Sequence, residues 1–81
     1  MHPDEIEGLI RAALPGARVR IVDETGTGDH FAAVVVATVF AGKGLVERHQ
    51  MVYGSLGNAM ADRIHALSLK AYTPEEWAQT Q

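Results

Sequence analysis

Residues 30–40, His-Phe-Ala-Ala-Val-Val-Val-Ala-Thr-Val-Phe, constrain the fold more than any other stretch of the chain. Read with the two-residue period of a strand, they place Phe31, Ala33, Val35, Ala37 and Val39 on one face and Ala32, Val34, Val36 and Phe40 on the other. Both faces are apolar. A half-exposed strand alternates apolar with polar residues, so this one must lie centrally in its sheet or have its second face covered. The run is too short to cross a bilayer, and its β-branched side chains favour a strand. A chain of 81 residues is expected to form a single domain over residues 1–81 with one small core, and this strand belongs at its centre.

The other elements follow from periodicity and punctuation. Residues 3–14 predict an amphipathic helix: Ile6, Leu9, Ile10, Ala13 and Leu14 recur at helical spacing, and Asp4, Glu5 and Glu7 lie near its positive end. Pro15-Gly16 stops it. Residues 18–23 alternate as a short strand, with Val19 and Ile21 facing one way and Arg20 and Val22 the other. The loop over residues 24–29 is short enough to require that the next strand run antiparallel to it. Ala41-Gly42-Lys43-Gly44 ends the long apolar run, and helical spacing returns at residues 45–53 through Leu45, His49 and Val52. Gly54-Ser55-Leu56-Gly57 predicts an interruption, followed by a second helical segment over residues 56–64. Residues 66–72 alternate again as a third strand. Thr73 then caps a last helix, with Pro74 in its first position and Glu76 closing a capping box.

The order is α-β-β-α-α-β-α, an α+β fold with helices on one face of a three-stranded mixed sheet. That order, with Gly-x-x-Gly between the middle helices, matches the type II KH layout, which small α+β domains reuse for unrelated purposes.

Composition narrows the function classes. The apolar fraction of 47% and charged fraction of 21% are those of an ordinary globular protein. Residues 1–8 carry acids and no basic, apolar leader, so a cytoplasmic location without membrane attachment is expected. There is no cysteine, which removes disulfides, thiol catalysis and any all-cysteine metal site. An iron–sulfur cluster bound here would draw its thiolates from another molecule, this chain offering imidazole or carboxylate. A net charge of -3 opposes strong non-specific nucleic-acid binding but leaves room for a local basic patch. Ser55 and Ser68 lie in no nucleophile motif and the acids cluster at helix starts, so no enzyme is expected.

The chain resembles the BolA family. The resemblance is carried by Asp29-His30-Phe31, Phe40-Ala41-Gly42, Glu47-Arg48-His49-Gln50-Met51-Val52-Tyr53, Ile64-His65-Ala66-Leu67 and Tyr72-Thr73-Pro74-Glu75-Glu76-Trp77, in family order over nearly the whole chain. The short first loop and the ending are most similar to the family's bacterial acid-stress branch, whereas Arg48-His49 is closer to BolA itself. The resemblance implies an adaptor: a protein that pairs as a heterodimer with a monothiol glutaredoxin of the Cys-Gly-Phe-Ser type and shares a [2Fe-2S] cluster with it. The glutaredoxin and a glutathione would supply thiolates and this chain histidine, with no cofactor held by the chain alone as a monomer or weak homodimer. The family's ligand position maps onto His65. Its second ligand lies in the first loop, and there this chain departs from the pattern, because residues 24–29 contain neither histidine nor cysteine and His30 follows them.

Each candidate also has a plainer reading. His65 ends a helical pattern, where an imidazole can hydrogen-bond the last carbonyls. His30 sits at a strand start, where ligand and ordinary surface residue are equally open. His49 shares a stripe with Leu45 and Val52, which suits a partly buried structural histidine or a residue reaching a partner beside Arg48. His2, near the chain start, has no assigned role. Arg48, Arg63 and Lys70, with Lys43, are candidates for a modest DNA or partner surface, although a solvated face is the simpler account.

Overall fold

The computed structural model describes residues 1–64 and 66–81, and the side chains of these except residues 61 and 62. The element order is α1 (Pro3–Ala13), β1 (Arg18–Asp23), β2 (His30–Val36), a single 3-10 turn (Thr38–Phe40), α2 (Leu45–Leu56), α3 (Ala59–Asp62), β3 (Ala66–Tyr72) and α4 (Pro74–Gln79). The sheet order is β1-β2-β3, so the apolar strand is central, with β1 antiparallel and β3 parallel to it. A parallel neighbour needs a crossover, and α2 and α3 supply it.

The core lies between one sheet face and the helices. Phe31 and Val35 from β2, Ile6 and Ile10 from α1, Val52 from α2, and Phe40 are the largest fully buried side chains. Their spacing explains the choice of elements: positions 6 and 10 fall on one helical stripe and 31 and 35 on one strand face. Burying such side chains contributes roughly 1.5–3 kcal/mol each, so these six dominate the stability of a small domain.

The sheet's other face is formed by Arg18, Arg20 and Val22 on β1, His30, Ala32, Val34 and Val36 on β2, and Ala66, Ser68, Lys70 and Tyr72 on β3, as the register and alternation require. Among the described residues, one end of it is covered. There Trp77 of α4 packs on Tyr72, ring centroids 5.4 Å apart, and Val36 is almost fully buried.

Three predicted boundaries are corrected. The strand expected over residues 30–40 ends at Val36, because Arg18 is the first β1 residue and its partner is Val36. Beyond it the chain tightens into the 3-10 turn that buries Phe40. The interruption expected at residues 54–57 falls only at Gly57: α2 runs through Gly54 and Ser55, with Ser55 Oγ bonding back to the Val52 carbonyl. The buried anchors Val52 and Leu56 hold that last turn despite the glycine's low helix propensity. The second segment, expected over residues 56–64, is the single turn Ala59–Asp62.

Candidate functional site

His30 opens β2 on the sheet's exposed face, and the loop before it fixes where it stands. The Asp23 carboxylate accepts from the backbone N–H of Gly26 at 3.0 Å and of Gly28 at 2.9 Å, folding residues 24–29 back over the end of β1. Gly28 is held at φ 78°, and a Cβ there would come within 3.1 Å of the Met1 nitrogen, so both conformation and space call for glycine. The Thr27 hydroxyl donates to Asp29 Oδ1. That same carboxylate oxygen lies 2.9 Å from His30 Nδ1, with both side chains partly exposed.

This contact assigns chemistry to the ring. A neutral imidazole that donates from Nδ1 to a carboxylate carries its lone pair on Nε2, the tautomer in which Nε2 can act as a metal ligand. The backbone entering β3 passes beside this point: the Ala66 N–H donates to the Asp29 carbonyl at 3.1 Å, and Ala66 is the register partner of His30. His65, the other histidine singled out from the sequence, lies outside the described residues. Among the described residues, no three His, Cys, Asp or Glu side chains group as a metal cage.

The arginine candidates are not brought together. Arg48 is largely buried between α2 and α4: its Nε donates to the Lys43 carbonyl at 2.9 Å, and Nη1 and Nη2 reach Glu76 at 2.6 and 3.2 Å. Its guanidinium also sits 5.8 Å from the Phe40 ring centroid. The Arg48 guanidinium holds the Glu76 carboxyl down at about 2, well below its ordinary 4.5, and the hydrogen bond from the Thr73 N–H adds to the effect. Arg63 instead meets Glu5 of α1 at 3.2 Å. Lys70 projects from the exposed sheet face opposite Val34. His49 lies edge-on to Tyr53 at 6.1 Å, and its Nε2 is buried with no hydrogen-bond partner among the described residues.

Residues 10–76 match the family model described as BolA-like protein. The chain belongs to the BolA family. It is 42% identical over 80 residues to the acid stress protein IbaG of Escherichia coli K12, covering 98% of this chain and 92% of that one. It is 34% identical over 88 residues to the DNA-binding transcriptional regulator BolA of the same organism, covering 100% of this chain and 84% of the regulator. Among solved structures, a BolA homologue from Coxiella burnetii superposes with a TM-score of 0.78 at 40% identity, covering 96% and 97% of the two chains.

Within this BolA-family chain, sequence reasoning singled out His30 as a candidate but missed the Asp29 carboxylate beside it. The adjacency of Asp29 and His30 was the available signal, since a carboxylate next to an imidazole is a common orienting pair. It also missed Asp23 as the organiser of the loop, and His2, whose Nδ1 accepts from the Asp4 N–H at 3.1 Å to cap α1. Histidine is an infrequent cap, so residue type gave little warning of that role.

Proposed function

We propose that this BolA-family protein is an adaptor that pairs with a monothiol glutaredoxin and co-ligates a [2Fe-2S] cluster, in cytoplasmic iron–sulfur trafficking or iron and stress regulation. The observation that carries the reading is His30, whose Nδ1 lies 2.9 Å from Asp29 Oδ1 beside the start of β3; with the proton on Nδ1, the lone pair a ligand needs is on Nε2. His65 would be the principal ligand on the family motif, with His30 as the second. The donor set fits such a group: the chain has imidazole and no thiol, so a glutaredoxin and a glutathione would complete the coordination. When bound, the cluster supplies one-electron chemistry at a potential raised by imidazole ligation. The chain's own part is to orient the imidazole, with Asp29 and the Asp23-braced loop setting the ring's tautomer and position.

The test is to mix the protein with cluster-loaded glutaredoxin and glutathione and follow visible circular dichroism. A new spectrum at one-to-one stoichiometry is expected, abolished by His65→Ala and weakened severalfold by His30→Ala. An unchanged spectrum, or the same new one with His65→Ala, would remove cluster co-ligation.

A second reading, DNA-binding regulation, is favoured by the name of the regulator with which this chain shares 34% identity. It predicts sequence-selective duplex binding at physiological salt that is indifferent to His65→Ala. Because Arg48 and Arg63 already face carboxylates, other basic residues would have to make most of the phosphate contacts.

A further inference from the structure

The exposed sheet face holds a charge arrangement unlike the rest of the molecule. Three arginines of this acidic chain are paired: Arg11 with Glu7, Arg48 with Glu76 and Arg63 with Glu5. Arg18, Arg20 and Lys70 share the open face, and among the described residues none of the three has an acidic partner. No acidic side chain occupies a strand position on that face. Arg18 and Arg20 stand two apart on β1 and therefore point the same way, close enough to repel in the absence of an anion. Lys70 stands on the far side of the central strand.

Between these cations the floor is aliphatic. Val34 and Val36, with Arg18, Arg20, Trp77 and Gln81, line an open groove of about 360 Å³. Further along β1, Val22 is 52% exposed. The groove's floor at Val34 and Val36 lies four to six residues of strand from His30, roughly 13–20 Å away. An occupant there would leave the histidine end clear.

We propose that this face docks an acidic, hydrophobic segment of a partner protein, seating an apolar side chain on Val34, Val36 and Trp77 while its carboxylates meet Arg18, Arg20 and Lys70. Charge decides the occupant. A second copy would bring the same three cations against these and be repelled. Single-stranded nucleic acid would find the cations but little to stack on, because the floor is valine and Trp77, which also packs on Tyr72, is the one aromatic side chain among the described residues that line the groove. The chain's overall acidity does not oppose an acidic peptide at close range, since charges beyond about 8 Å are screened at physiological salt. The proposal stands independently of the cluster reading.

Trp77 is the chain's single tryptophan and lines the groove, so its fluorescence reports occupancy directly. The full protein is titrated with a short peptide in which glutamates flank a leucine–phenylalanine pair, with the same peptide carrying glutamines, and with oligodeoxythymidine. A saturable, salt-sensitive shift with the glutamate peptide is expected, weakened about tenfold or more by Arg18→Glu with Arg20→Glu and unchanged by Lys43→Glu. Far-ultraviolet circular dichroism checks that the double variant is folded, and Lys70→Glu, a change on the other flank, should also weaken binding. Four results would overturn the proposal: no saturable shift, equal binding of the glutamine peptide, equal binding by folded charge-reversed protein, or a response to the oligonucleotide in place of the peptide. A shift that appears on raising the protein concentration alone would assign the face to self-association and overturn it as well.

Discussion

Glu76 joins two elements through one carboxylate. It accepts from the Thr73 N–H at 2.8 Å to close the cap of α4, and from Arg48 at 2.6 Å to tie that helix to α2. Both interactions favour the ionised form, so its acidity is raised to about 2 from an ordinary 4.5. A depressed carboxylate contributes stability in full above its unfolded value, and that contribution is lost as pH falls from about 4.5 toward about 2. Urea midpoints should therefore drop between about pH 6 and about pH 3, and Glu76→Gln should lower the pH 6 value and flatten the drop. Equal slopes in the two proteins would contradict this account. The capping role was legible in Thr-Pro-Glu-Glu because caps are local. The Arg48 partner was not, because 28 residues separate the two and only the packed fold brings them together. The same distinction explains why Arg48 reads from the sequence as a surface cation and is largely buried in the fold.

At the scale of elements, the same device appears twice. Glu5 Oε1 accepts from the His2 N–H at 3.0 Å at the start of α1, while its Oε2 takes Arg63 from the segment after α3. The hydrogen bond from His2, with the Arg63 charge adding to it, holds the Glu5 carboxyl below its ordinary range. Each capping glutamate thus anchors a terminal helix to the crossover. Thr73→Ala removes the side-chain acceptor for the Glu76 N–H and should cost about 1 kcal/mol in chemical denaturation. Gly57, with φ 53° and ψ -129°, ends α2 in a region that side chains with a Cβ rarely adopt. Gly57→Ala should cost roughly 1–3 kcal/mol, whereas Gly54→Ala, in the exposed helix interior, should stabilise by up to about 1 kcal/mol. Equal effects at the two sites would show that the helix end was misjudged. Both glycines were visible in the sequence, but which one stops the helix depends on Val52 and Leu56 reaching the core. Likewise, hydrophobicity continued through Phe40 while the ladder stopped where β1 runs out, and an apolar run alone does not distinguish a strand from a buried turn.

For the whole molecule, the small α+β core serves as a rigid mount with different chemistry at the two ends of its central strand. At one end a braced loop orients His30; at the other, Arg18 and Arg20 border an apolar groove beside Trp77. The overall order and the mixed sheet were legible because each element carries its own periodicity and the loop lengths fix the directions. The pairing of Asp29 with His30 and the isolation of Arg18, Arg20 and Lys70 emerge only once strands are in register. Ligation of a shared cluster by imidazole from this chain, as proposed, would put histidine nitrogen directly on iron. It is tested most directly by pulsed electron paramagnetic resonance of the one-electron-reduced complex, with this protein labelled with ¹⁵N in its histidines. A strong hyperfine coupling from directly bound imidazole nitrogen is expected, and it should disappear in His65→Ala. A spectrum without such coupling, identical to that of the glutaredoxin's own all-thiolate cluster, would contradict it.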